Sequence, residues 1–244
     1  MRAIIIAGGK GRRLKPYTTA IPKPLVPIGN KFTILEIILI QLANQGFNHI
    51  TLAVNHMGKL MESFFGNGKK FGIKIDYSYE KNELGTIAPL RNIKKIPDNF
   101  LVMNSDILTN INFELLLKYH SSNNNLTTIT TSNINMRSEF GVVNLKNNKI
   151  LNFQEKPLIK QNVCIGVNCF NKKILNYIPK NYKFSFDDLL LQLIKKKKTI
   201  NNFSFNGFWL DMGKPEDYDK VNNEFSKLSK KLNIDKLLKK YEQN

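Results

Sequence analysis

The sequence predicts an α/β fold with a doubly wound, mixed but mainly parallel sheet, and three observations carry that reading. Short apolar strand patterns alternate with helical ones over roughly the first 110 residues. The helical pieces between them are long enough for right-handed crossovers. The chain, 244 residues with 42% hydrophobic side chains, can bury one large core.

Taken in order, Arg2 to Ala7 reads as a buried strand, followed by a glycine-rich basic loop and a helix from Thr33 to about Gln45, where Gly46 supplies the stop. Asn48 to Asn55 is the next strand. A short helix, Gly58 to Phe65, leads through a glycine-punctuated turn to the strand Ile73 to Tyr79, then to a helix from about Thr86 to Ile96. The strand Phe100 to Met103 ends in Asn104-Ser105-Asp106. Beyond it the pattern becomes mixed: a helix near Asn112 to Ser121, then strand-like runs over Leu126 to Ile134, Gly141 to Leu145, Lys149 to Glu155 and Val163 to Phe170. Ser185 reads as an N-cap with Asp187 and Asp188 in the first turn of a helix that ends in Lys195 to Lys198. Asn201 to Asp211 returns as strand, and Pro215 opens a final amphipathic helical region reaching Leu238.

This gives one unit over residues 1–244: a first half to about residue 110, a second from about 111 to 220, and a C-terminal helical region from 221 to 244. No stretch is long and apolar enough to be a membrane span. Lys and Arg total 37 against 19 acids, a net charge of +18. That excess can attract polyanions or phosphorylated small molecules, but the basic residues are scattered, with no aromatic or basic recognition element, which favours biased composition over a nucleic-acid face. Cys164 and Cys169 stand on one strand, about 16 Å apart and on opposite faces, and read as buried reduced thiols of a cytoplasmic protein. The three histidines show no zinc spacing.

The densest chemical signal is Ala7-Gly8-Gly9-Lys10-Gly11-Arg12-Arg13-Leu14-Lys15-Pro16, placed where the first strand ends. Glycines let backbone amides approach a ligand and the cations neutralise phosphate charge, so a polyphosphate fits there. The dinucleotide fingerprint fails at Leu14, and the P-loop pattern is absent. The loop reads as exposed, so Arg13→Ala is expected to remove activity without harming the fold, and the same is expected of Lys23→Ala. Pro22-Lys23-Pro24 holds Lys23 on stiff backbone. Asp106 and Asp211 each follow an apolar strand, at the ends where open parallel sheets bind ligands, and supply hard oxygens suited to magnesium.

With Leu84-Gly85-Thr86, Glu155-Lys156-Pro157 and Trp209-Leu210-Asp211-Met212-Gly213 added, six motifs in order make the chain resemble the sugar nucleotidyltransferases, the NDP-sugar pyrophosphorylases, from Met1 to about Tyr218. The resemblance implies their Rossmann-like nucleotide-diphospho-sugar transferase fold and transfer of a nucleotidyl group from an NTP to a sugar 1-phosphate, with Mg2+ at Asp106 and Asp211. It implies Arg13 and Lys23 as catalytic groups, and Ala7, Gly8, Gly9, Gly11, Glu80, Gly85 and Thr86 around the nucleotide. Glu155, Lys156 and Gly141 are implied for the sugar phosphate. Glu80, whose carboxylate can accept from N1–H and the exocyclic amine together, favours guanine, with a mannose- or heptose-like sugar. Uridylyl or thymidylyl transfer to a hexose 1-phosphate stays open, as do a catalytically silent nucleotide-sugar-binding regulator and a homo-oligomer. Ala88, Cys164 and Arg12 depart from the family's usual residues, which points to an altered sugar.

Overall fold

The computed structural model describes residues 1–29, 31–80 and 82–242. In chain order these form β1 (Arg2–Ile6), α1 (Ile34–Asn44), β2 (His49–Val54), α2 (Gly58–Phe65), β3 (Lys74–Tyr79), β4 (Asn99–Asn104), β5 (Ile107–Thr109) and α3 (Phe113–Ser122). There follow β6 (Thr127–Arg137), β7 (Val142–Lys146), β8 (Lys149–Gln154), β9 (Leu158–Asn171), α4 (Phe186–Lys195), β10 (Asn201–Ser204), β11 (Trp209–Asp211), α5 (Pro215–Asn223), α6 (Phe225–Lys231) and α7 (Asp235–Glu242).

Seven strands make the main sheet in the order β10-β6-β9-β4-β1-β2-β3. β4, β1, β2 and β3 run parallel, whereas β9 is antiparallel to both its neighbours. The strand β1 lies at the centre because its residues are apolar on both faces: Ala3 and Ile5 join one core and Ile4 the other. The chain first winds outward from β1 through β2 to β3, then returns to place β4 on the other side of β1. The crevice at that reversal, above the carboxyl ends of β1 and β4, is where ligands bind in open α/β sheets.

On one face α1 packs almost wholly buried. Its start is fixed by a capping box in which Thr33 Oγ1 accepts from the Glu36 amide and Glu36 accepts from the Thr33 amide. On the other face α4 starts from the expected Ser185, with Asp188 completing a capping box. His120 is fully buried and its Nδ1 lies 2.9 Å from Thr128 Oγ1, a structural histidine.

Three expectations are corrected, and one is made more detailed. The helix over Thr86 to Ile96 is only a 3-10 turn, Ala88–Asn92, because Pro89 limits the segment while Ile87 and Leu90 are pulled into the core. The strand over Asn201 to Asp211 breaks in two, β10 pairing with β6 and β11 pairing with β5. The expected C-terminal helical region consists of three short helices, with Glu224 and the positive-φ Asn233 at the breaks. Cys169 is buried as expected, but Cys164 is exposed.

Candidate active site

Three connected cavities of about 350, 350 and 450 Å³ open at the reversal of strand order, and Ile6 and Thr86 line all three. The first takes the glycine loop, Asn55, Glu80, Glu83, Gly85 and Lys183. The second takes Arg12, Arg13, Lys23, Ser105 and Asp106. The third, largest one is bounded by Asn104, Cys164, Asn168, Asp187, Trp209 and Asp211.

The loop's shape follows from its sequence. Gly11 has φ of +60°, and a Cβ there would lie 3.0 Å from Thr18 Cγ2. Thr18 Oγ1 donates to the Gly11 carbonyl at 2.8 Å. Leu14 is fully buried and anchors the short turn Arg12–Leu14, so the two arginines are held toward the second cavity. Gly85, with φ of +94°, leaves room for the Phe184 carbonyl, which a Cβ would approach to 2.7 Å. The adjacent Thr86 Oγ1 accepts from the Phe186 amide at 2.9 Å. This ties the segment around Gly85 to the start of α4.

At the floor, Lys23 is 8% exposed and donates to Asp106 Oδ2, with Asp211 Oδ1 3.9 Å away. The carboxylates converge because β11 pairs antiparallel with β5: Asp211 stands opposite Ile107, and the Met212 amide donates to the Asp106 carbonyl at 3.0 Å. Burial, with the neighbouring Asp106 charge, pushes the Asp211 carboxyl up, against the pull of Lys23 and Arg13. Asp106 Oδ1 and Asp211 Oδ1 are buried without a hydrogen-bond donor. Two unsatisfied hard oxygens fit Mg2+, which usually binds through one or two carboxylates together with substrate phosphates and water. No cluster of three metal-ligating side chains occurs among the described residues.

Glu80 faces the first cavity beside Gly8; a Cβ on Gly8 would lie 3.5 Å from Glu80 Oε1. The other oxygen, Oε2, accepts from the Leu84 amide at 3.3 Å. Burial raises the Glu80 carboxyl, with the Leu84 amide opposing it. Lys10 and Glu83 form an ion pair at the edge of this cavity, which holds the Glu83 carboxyl low.

Of the residues expected from sequence, Gly8, Gly9, Gly11, Arg13, Lys23, Glu80, Gly85, Thr86, Asp106 and Asp211 therefore meet in one crevice. Ala7 does not line it; it is buried and continues the sheet, its amide donating to the Ala53 carbonyl at 2.8 Å. Glu155, Lys156 and Gly141 are brought together but outside the three cavities, exposed at the base of the β7–β8 hairpin. A Cβ on Gly141 would lie 2.5 Å from Phe153 Cε2 and 3.3 Å from Glu155 Oε2, so this glycine makes room for the hairpin's own packing. The expectation that Lys23 could be lost without cost to the fold is also corrected, because its side chain is buried and paired.

Sequence reasoning missed Asn55, Lys183, Asn168 and the cavity role of Asp187. Asp187 had a signal, a helix first-turn acid, but that signal reads equally as a dipole partner. Asn168 had none: a register shift in β9 between Cys164 and Asn168, with Gly166 at φ of +75° against Asn104, turns these residues toward the third cavity.

The Nucleotidyl transferase family model matches residues 2–227. The chain is 37% identical over 227 residues to a mannose-1-phosphate guanylyltransferase catalytic subunit beta of Dictyostelium discoideum, covering 89% of this chain and 62% of that protein. It is 32% identical over 239 residues to a UTP–glucose-1-phosphate uridylyltransferase of Synechocystis sp., covering 89% and 61%. The chain thus spans about three fifths of the length of these curated relatives. Among solved structures, HddC from Yersinia pseudotuberculosis superposes with a TM-score of 0.71 at 26% identity, over 92% of this chain and 99% of that one.

Proposed function

Because the chain belongs to the nucleotidyl transferase family, we propose that it transfers a nucleotidyl group from an NTP to a sugar 1-phosphate, forming an NDP-sugar and releasing pyrophosphate. The observation that carries the reading is the buried Lys23 set between Asp106 and Asp211 below the glycine loop. Buried charges of both signs are costly to maintain and here serve no core packing.

In-line displacement at the α-phosphorus needs alignment and charge neutralisation more than a protein nucleophile. The amides of Gly8 to Gly11 and the guanidinium of Arg13 hold the triphosphate and the departing pyrophosphate. Lys23, its ammonium fixed by Asp106, lies against the reacting phosphates. Asp106 and Asp211 would hold Mg2+, which supplies charge neutralisation on those phosphates when bound. The third cavity takes the sugar, with Asn104, Asn168 and Asp187 as hydroxyl partners. A role for Glu155 and Lys156 at the sugar phosphate, which the family resemblance implies, requires the base of the hairpin to move toward the third cavity.

For the base, Glu80 Oε1 is open to guanine donors, and the Dictyostelium relative is a guanylyltransferase by name. GTP with a mannose- or heptose-like 1-phosphate is therefore the first reading. The second, UTP or dTTP with a hexose 1-phosphate, draws on Glu80 Oε2 being engaged by Leu84 and on the Synechocystis relative. Pyrophosphate release with each NTP against a panel of sugar 1-phosphates decides between them. Turnover with no pair would leave a nucleotide-sugar-binding regulator instead.

A further inference from the structure

The chain carries 37 Lys and Arg against 19 Asp and Glu, and two of the three cavities in the crevice share that excess. The first is bordered by Lys10, Arg12 and Lys183, the second by Arg12, Arg13 and Lys23. The third is the exception. Among the described residues no Lys, Arg or His lines it, and its two charged groups, Asp187 and Asp211, are both acids. Asp211 belongs to the floor, with Lys23 and Asp106. Asp187 is left over.

A carboxylate in the first turn of a helix ordinarily serves the helix itself. Here its neighbour does so: Asp188 accepts from the Ser185 amide at 2.8 Å, and Ser185 Oγ accepts from the Asp188 amide at 3.2 Å, which completes the capping box. The Asp187 side chain makes no hydrogen bond or ion pair with any described residue and lines the cavity together with Cys164. Burial, and then the Asp187 charge, push the Cys164 thiol up, so the carboxylate acts on that wall. The other polar groups are of a different kind. Asn168 is 5% exposed, and its Oδ1 accepts from the Thr130 amide at 3.2 Å, which leaves Nδ2 to donate into the cavity. Asn104 adds a second amide. Amides both donate and accept, as sugar hydroxyls do. A carboxylate only accepts, and covering it with a neutral sugar would desolvate its charge with nothing to balance it.

We propose that Asp187 selects a sugar 1-phosphate that carries a free amino group, the ammonium of the sugar pairing with the Asp187 carboxylate. The proposal rests on the third cavity being the sugar site of the transfer reading, and it sharpens the part given there to Asp187. An ammonium brings three donors and a balancing charge to a carboxylate that receives no donor from the protein. A hydroxyl brings one donor and no charge. The same wall works against other sugars: one bearing a second phosphate or a carboxylate would meet Asp187 with no base to receive it. The 1-phosphate itself is served by the bases of the second cavity.

Two measurements on the intact chain test this. In the first, pyrophosphate release is followed with a matched set: a hexosamine 1-phosphate, its N-acetyl derivative and the parent hexose 1-phosphate. At neutral pH the amino sugar should lead both others by about ten- to a hundredfold in kcat/KM. In Asp187→Asn that lead should collapse to within about threefold. In the second, Cys164 reports occupancy without turnover, because it is exposed whereas Cys169 is buried. With Mg2+ present, alkylation of Cys164 by iodoacetamide should be slowed by the amino sugar at roughly tenfold lower concentration than by the parent hexose 1-phosphate. Turnover that favours the parent or the acetylated sugar, a lead that survives Asp187→Asn, or protection that does not favour the amino sugar overturns the inference and leaves the transfer reading standing. Preferential protection without turnover of any pair supports the inference and overturns the transfer reading instead. Neither turnover nor protection overturns both.

Discussion

The parallel half of the sheet and the antiparallel half hold their polar groups in opposite ways. At the carboxyl ends of β1 and β4, Lys23, Asp106 and Asp211 are set on the core and paired with one another. In the antiparallel half, Glu155 and Lys156 stand free at the end of a two-stranded hairpin. The difference teaches where stability and function are coupled. A charge resting on buried strands cannot be changed without disturbing its neighbours. A charge on an exposed hairpin can be changed almost without the fold noticing.

Lys23→Met is expected to give the largest effect. It leaves two adjacent carboxylates uncompensated, so stability should fall by about 2–3 kcal/mol in urea unfolding. Pyrophosphate release should fall by roughly a thousandfold. Retained stability with lost activity would mean that the ion pair is no more integrated than the hairpin charges.

Asp211→Asn should separate the two properties. Its carboxyl is raised in the fold, so the ionised form opposes folding above the folded pKa, and that cost disappears as pH falls below the unfolded value near 3.9. The variant should therefore lose roughly a hundredfold in turnover and weaken the magnesium dependence. Its Tm should rise by about 1–3 °C at neutral pH and converge on wild type in acid. A lower Tm at neutral pH would show that Lys23 more than offsets burial.

Glu80→Gln comes next. Under the guanine reading it places an NH2 donor against a donor edge, and kcat/KM for GTP should fall about ten- to a hundredfold while UTP or dTTP loses less. An unchanged nucleotide preference would remove Glu80 from base recognition.

Smallest in stability is the pair Glu155→Gln and Lys156→Met. Each should leave unfolding within about 0.5 kcal/mol of wild type, because both side chains are exposed and have no ion-pair partner within the described chain. KM for the sugar 1-phosphate should rise by roughly tenfold with nucleotide KM unchanged. A loss of stability instead would show that the hairpin is as integrated as the floor.

Much of the site was legible in the sequence because local chemistry wrote it: glycines where backbone must adopt positive φ, as at Gly11 and Gly85, and cations beside them. The floor carboxylates were legible for a similar reason, each following a short apolar run that reads as a strand. Asn168 and Asp187 were not legible, since a lone polar residue within a strand or in the first turn of a helix has an ordinary structural use.

The sequence by itself determined the alternation of strands and helices, the buried β1 and the glycine-rich, basic character of the loop that follows it. These depend on short-range periodicity and on the conformational freedom of single residues. Only the tertiary structure decided that Asp211, more than a hundred residues from Asp106, would share its lysine. It likewise decided that residues 201–211 would divide between two sheets, and that a bulge in β9 would open the third cavity. Those outcomes rest on which strands pair and in what register, and register is set by the fit of whole faces against the core rather than by any residue's own preference.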